Sequence, residues 1–163
     1  KGYAHLRMGD EGTARWYMHL IETSLEEDPD DNFRGHSAKQ LLGVVGAILK
    51  GEILRASGEL EEAISLLRAG GELEDGLRYD EPEPLPFSIY TWLGDALHEA
   101  GRYEEAENAF RHELSKHPHN GWSLFGLERA LRSQDKNEEA DEVHSEFREA
   151  WARSDTYLRG PIF

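Results

Sequence analysis

The strongest constraint on this chain is a segment that returns. Residues 93–110 read LGDALHEAGRYEEAENAF, with apolar Leu93, Ala96, Leu97 and Ala100 at helical spacing, a stop at Gly101-Arg102, and a resumption at Tyr103, Ala106 and Phe110. That pattern predicts two short helices folded back on one another through a glycine turn. Gly94 and Ala106 are the small residues that let the two backbones approach, while Leu97, Tyr103 and Phe110 fill the space between helices and toward a neighbouring hairpin. Shifted by 34 positions, Leu93 falls on Leu127, Leu97 on Leu131 and the trio Glu104-Glu105-Ala106 on Glu138-Glu139-Ala140. A shift of 43 in the other direction meets Gly51, Gly58, Glu61-Glu62-Ala63 and Leu67, and a further 49 meets Gly2, Gly9 and Ala14. The chain therefore holds four copies of one hairpin, the first entered partway through its opening helix. A unit this short cannot bury its apolar stripe alone, so the copies must stack.

Reading along the chain places the copies at 1–31, 37–77, 87–120 and 121–154, in a single repeat domain over 1–155 with a tail at 156–163. The first copy ends in an acidic loop around Pro29, and Ser37 is placed to cap the next helix. Gly70-Gly71 reads as a breaker where the repeat would have a continuing helix. Residues 78–86 form an insertion in which Pro82, Pro84 and Pro86 favour extended, polyproline-like backbone. Insertions in repeat proteins emerge as loops on one face, so this stretch is a candidate for recognition, and the plainer alternative is that Tyr79, Leu85 and Phe87 pack the connector. The last helix, running to about residue 152, is longer than a repeat needs, as suits a terminal cap.

Charge narrows the partners. Lys and Arg total 18 against 33 Asp and Glu, a formal net charge of −15, which disfavours nucleic acid or an anionic membrane. The longest apolar patch, 41–49, is too short to cross a bilayer and contains two glycines. Cysteine is absent, which suits both a reducing cytosol and a periplasm and leaves the compartment open, with the cytoplasm as the default expectation. Because Lys1 falls in the middle of a repeat, further sequence is expected upstream.

No catalytic pattern emerges. His112, His117 and His119 cluster in sequence, but the first two are five apart and point in different directions on a helix, so no metal site is expected. Serines lie outside any nucleophile elbow, and no glycine-rich phosphate loop occurs. The glutamate pairs recur at one repeat position, which assigns them to the first turn of each second helix, where negative charge complements the helix dipole. Neither a cofactor nor an enzyme activity is expected.

The spacing from Gly94 through Leu97 and Ala106 to Pro118 resembles the tetratricopeptide repeat consensus. That resemblance implies an all-α fold, a right-handed αα-superhelix of about four helical hairpins whose first helices line a concave, peptide-holding face. The outward positions it marks are Val45, Ile48, Glu52 and Arg55, then Ser88, Thr91, Asp95 and His98, then Trp122, Phe125, Arg129 and Arg132. Arg129 and Arg132 lie one turn apart and are candidates to hold a carboxylate or acidic segment, against the alternative of solvated charges offsetting the chain's own acidity. Tetratricopeptide domains that clamp the acidic carboxy terminus of chaperones use lysine and asparagine where this chain has Ile48, Glu52, Trp92, Phe125 and Gly126, so that partner is not expected. The stretches YDEPEPLPF and HPHNGWSLFGLERALRSQ are similar to the carboxy-terminal part of larger bacterial tetratricopeptide proteins and imply no activity. The expected function is a non-catalytic scaffold for a protein or peptide. Two alternatives stand beside it: homo-oligomerisation through Trp122, Trp16 or the proline-rich insertion, and an accessory domain of an enzyme whose catalytic part lies upstream.

Overall fold

A computed structural model describes residues 1–27 and 31–162; Pro29 of the acidic loop and Phe163 of the tail lie outside the described residues. The chain divides into two compact units, Lys1–Ile89 and Tyr90–Phe163. The first contains α1 (Gly2–Arg7), α2 (Glu11–Glu27), α3 (Ala38–Ala56) and α4 (Leu60–Asp75), with a small antiparallel hairpin of β1 (Asn32–Phe33) and β2 (His36–Ser37). In the second lie α6 (Tyr103–Lys116), α7 (Gly121–Arg132) and α8 (Asn137–Ala150), preceded by α5 (Ile89–Glu99), whose first residue belongs to unit 1.

The repetition seen in the sequence is reproduced atom for atom at the turns. The amide N–H groups of Asp10, Glu59, Arg102 and Lys136 each donate to the carbonyl five residues back, on His5, Leu54, Leu97 and Leu131. This is the bond that closes a helix through one left-handed residue. That residue is Gly9, Gly58 and Gly101 in three turns, with φ of 81, 83 and 73°, and Asp135 with φ 59° in the fourth. Aspartate is among the few non-glycine residues that tolerate this region, so the fourth turn keeps its shape without glycine. Four residues past each of those N–H donors comes the alanine of the repeat. Ala14, Ala63, Ala106 and Ala140 are all 0% exposed, so each is the notch against which the partner helix closes. Glutamates stand in the first turns of α4, α6 and α8, at the positive end of the helix dipole.

In unit 1, Ala14, Leu49 and Ile53 form a core covered by Tyr3, Leu6, Tyr17, Met18 and Ile21. The Ser37 cap holds, its hydroxyl accepting from the amide of Gln40 at 3.2 Å. Gly70-Gly71 does not break the chain: α4 runs through both. A methyl at Gly70 would meet Ala47 Cβ at 2.7 Å and Ile89 Cδ1 at 2.5 Å, so glycine serves close packing there instead of ending the helix. The 32–37 hairpin is absent from the sequence-based expectation. Its turn residues Arg34 and Gly35 have φ of 55 and 87°, the positive pair a two-residue hairpin requires. Arg34 then reaches the insertion, donating to Asp80 Oδ1 at 2.8 Å and to the carbonyls of Glu81 and Pro82 at 3.1 and 3.2 Å. Leu85 of the insertion and Phe87 just beyond it are half-buried, whereas Tyr79, which the plainer alternative also expects to pack, is 84% exposed.

Unit 2 is built around Phe110, which is fully buried with Gly94 and Gly126 on either side of its ring. A polar knot ties α6 to the turn between α7 and α8: Glu107 accepts from Arg111 at 2.9 Å, Gln134 at 2.9 Å and Lys136 at 2.7 Å. Burial raises the Glu107 pKa, but these three donors overcome it and hold the carboxyl below its usual value. Glu113, also buried, accepts from His117 at 2.7 Å and Asn120 at 2.8 Å, while Asn120 caps α7. The last helix ends at Ala150, and the chain then turns back so that Trp151 Nε1 donates to the Thr156 carbonyl at 2.7 Å.

Candidate protein-binding surface

Each unit presents its first-helix positions differently. On α3 of unit 1, Ile48 and Glu52 are only 6% exposed, and Arg55 folds back on Glu52 at 2.6 Å. Ser88 is likewise closed, its hydroxyl donating to Glu74 at 2.6 Å beside the Ile89 amide, which donates to the same carboxylate at 2.7 Å. The sequence-based expectation that these side chains face outward is corrected at Ile48, Glu52 and Ser88. Helical spacing marks a side, and packing decides whether that side stays open.

In unit 2 the seven marked side chains separate into three groups. Thr91 is buried, its hydroxyl 3.3 Å from that of Ser123, and so it joins α5 to α7 from the inside. Trp122 and Phe125 turn toward the last helix. Trp122 sits edge-on to Trp151 with ring centroids 5.6 Å apart, Phe125 tilts onto Phe147 at 5.7 Å, and Phe147 stacks on Trp151 at 5.9 Å. Among the described residues no helix follows α8, so these aromatics of α7 close onto α8 and are half-buried. Trp122 is therefore not the exposed anchor on which an oligomer through that residue would rely. Arg132 also turns to α8, donating to Glu128 and Asp141, each at 2.9 Å; both hydrogen bonds raise its pKa.

The third group is half-buried and converges. Arg129 of α7 donates to Asp95 of α5 at 3.5 Å, a long contact, with the guanidinium side chain 39% exposed. His98, one turn along α5, places Nε2 3.1 Å from the Ser133 hydroxyl. Burial lowers the pKa of His98 and the positive charge of Arg129 lowers it further, against a smaller upward pull from Asp95. The imidazole is thus neutral near pH 7, and the cluster offers one cation, one carboxylate and two neutral hydrogen-bonding groups across two helices. Arg129 and Arg132 do not act as a pair: one guanidinium goes to α5, the other to α8. Ser123, Ser133 and Asp141 were not marked by the sequence, since each matters only through a partner on another helix.

The three histidines of 112–119 do not converge. His112 packs on Tyr90 at 4.2 Å and His117 bonds to Glu113. Among the described residues, no group of three or more His, Asp or Glu side chains is placed to hold a metal ion, and no helix is long and apolar enough to cross a membrane.

Comparison with known proteins bears on the fold. The tetratricopeptide repeat family profile matches residues 87–112. No curated protein matches the chain. Among solved structures it is similar to MamA of AMB-1, at 21% identity over 91% of this chain and 74% of that one, with a TM-score of 0.59. MamA of MSR-1 is similar at 22% identity over 94% and 74%, again with 0.59. A further crystal structure of MamA aligns over 96% of this chain and 93% of its own at 16% identity, with a TM-score of 0.55. At such identities the likeness is one of fold, an all-α arrangement of helical hairpins.

Proposed function

We propose that this chain, a tetratricopeptide-repeat protein, is a non-catalytic scaffold that binds a protein or peptide through the exposed side chains of its first helices. The observation that carries this is the cluster of Asp95, His98 and Arg129. It spans α5 and α7, its guanidinium is partly exposed above a largely covered Asp95, and its ion pair is loose enough at 3.5 Å for a ligand carboxylate to compete for the guanidinium. An acidic or carboxy-terminal peptide is the ligand such a site takes. Fluorescence anisotropy with labelled Asp/Glu-rich peptides tests it, comparing the wild type with an R129E/R132E variant. Loss of binding at unchanged helical content supports the site; equal affinity removes both arginines from it.

A second function is favoured by a separate observation. Trp16 and Leu20 are one turn apart on α2 and stand 53% and 40% exposed, an apolar pair suited to self-association. Light scattering on the purified chain decides: a monomer at all concentrations removes this function.

A further inference from the structure

Unit 2 has a concavity where its second helices, α6 and α8, meet α7. It is an open groove of about 310 Å³. Leu114 of α6, Leu127 of α7 and Val143 of α8 line its apolar floor, and Arg111 of α6 and Glu146 of α8 stand at its rim. That size is at the lower end of the ~300–1,000 Å³ typical of ligand sites. An open groove of this volume suits one bulky side chain of a segment lying across it better than an engulfed small molecule.

The charge beside it identifies the segment. Glu139, Glu142, Glu146 and Glu149 recur at spacings of three and four along α8, so they form one stripe down the flank of the groove. Arg111 donates to Glu139 at 2.9 Å and is thereby engaged, since it also bonds Glu107. Glu142, Glu146 and Glu149 are exposed and have no ion pair among the described residues. Arg148, the one arginine of α8, which has no lysine, points nearly opposite Glu146 around the helix. Three like charges without counter-ions, at Glu142, Glu146 and Glu149, bordering an apolar slot, complement a segment with the opposite charge and an apolar anchor. A second copy of this chain, at a net charge of −15, would bring the wrong sign.

We propose that this groove docks a cationic amphipathic segment of a partner protein, its bulky aliphatic or aromatic anchor between α6 and α8 and its lysines or arginines along the glutamate stripe. The partner differs in charge and in face from the acidic ligand of the Asp95–His98–Arg129 cluster, so the two sites fail or succeed independently.

The test is phage display of random twelve-residue peptides on the full chain, followed by anisotropy with the enriched peptides. The expected enrichment is for two or more Lys or Arg flanking a bulky apolar residue. Affinity for such a peptide is expected to fall about tenfold or more in an E142K/E146K variant and in Ser115→Trp, which fills the mouth of the groove, and to fall with rising salt. R129E/R132E should leave it unchanged. If Ser115→Trp does not fold, E142K/E146K, at two exposed positions, carries the test alone. Enrichment of acidic or uncharged peptides, no enrichment, or affinity indifferent to E142K/E146K overturns the proposal.

Discussion

Replacing Gly126 with alanine separates two physical effects of opposite sign. Gly126 lies inside α7, where alanine is favoured over glycine by about 1 kcal/mol in helix propensity. Its Cα also faces the ring of Phe110, which is 0% exposed. A methyl there would overlap Cζ and Cε1 and lie 2.9 Å from Cε2, against the roughly 3.5–4.0 Å of an ordinary carbon contact. The ring has no retreat, because a methyl on the other side at Gly94 would already be 2.6–2.8 Å from three of its atoms, which places the Gly94 backbone close behind it. Overpacking costs about 1–3 kcal/mol, and a two-sided vice puts this site at the upper end. After the propensity gain, Gly126→Ala should be destabilised by about 1–2 kcal/mol, or about 2–8 °C in Tm for a chain of this size. Urea unfolding followed by circular dichroism and by fluorescence of Trp122 and Trp151 measures it. Phe110→Leu in the same background should recover part of the loss, a coupling of about 0.5–3 kcal/mol in a double-mutant cycle. A Gly126→Ala protein more stable than wild type by about 1 kcal/mol would show that propensity alone governs the site and would refute the packing assigned to Phe110.

Gly70→Ala makes the same distinction in unit 1: a breaker would be stabilised by alanine, whereas the 2.7 Å approach to Ala47 Cβ predicts a loss of about 1 kcal/mol or more of unfolding free energy, read as a lower denaturant midpoint. His98 predicts a pH dependence. Its folded pKa lies below the ordinary 6.5, so the unfolded chain takes up the proton first, and the stability contribution, complete above about pH 6.5, is lost as pH falls through the lowered folded value. His98→Gln should flatten the stability profile over that acidic window; an identical slope in wild type and variant would assign the pH dependence elsewhere.

The candidate surface was legible in part. Asp95, His98 and Arg129, marked as outward by the repeat resemblance, meet across two helices, and Asp95 and His98 share a face because residues three apart do so whatever the partner. Ile48, Glu52 and Thr91 carry the same spacing and are buried, and Arg132 carries it and turns to Asp141. Nothing local distinguishes these outcomes, since each depends on which helix lies opposite. The groove lined by Leu114, Leu127 and Val143 was invisible for the same reason, although the glutamate stripe beside it stands in the sequence of α8.

Amino-acid order alone determined what is local and repeated. The left-handed turn residue, the acidic first turn and the buried alanine follow from backbone sterics, the helix dipole and the 3.6-residue period, and they hold in all four hairpins, with Glu11 the lone first-turn acid of α2. Tertiary structure decided what depends on neighbours remote in the chain. Gly70 became a packing site because Ala47 and Ile89 come against it. The 32–37 segment became a hairpin with Arg34 bonded to residues 80–82, and the aromatics of α7 closed onto α8. A polar or apolar side chain finds its lowest free energy against whatever surface is presented to it. That surface exists only after the helices have packed.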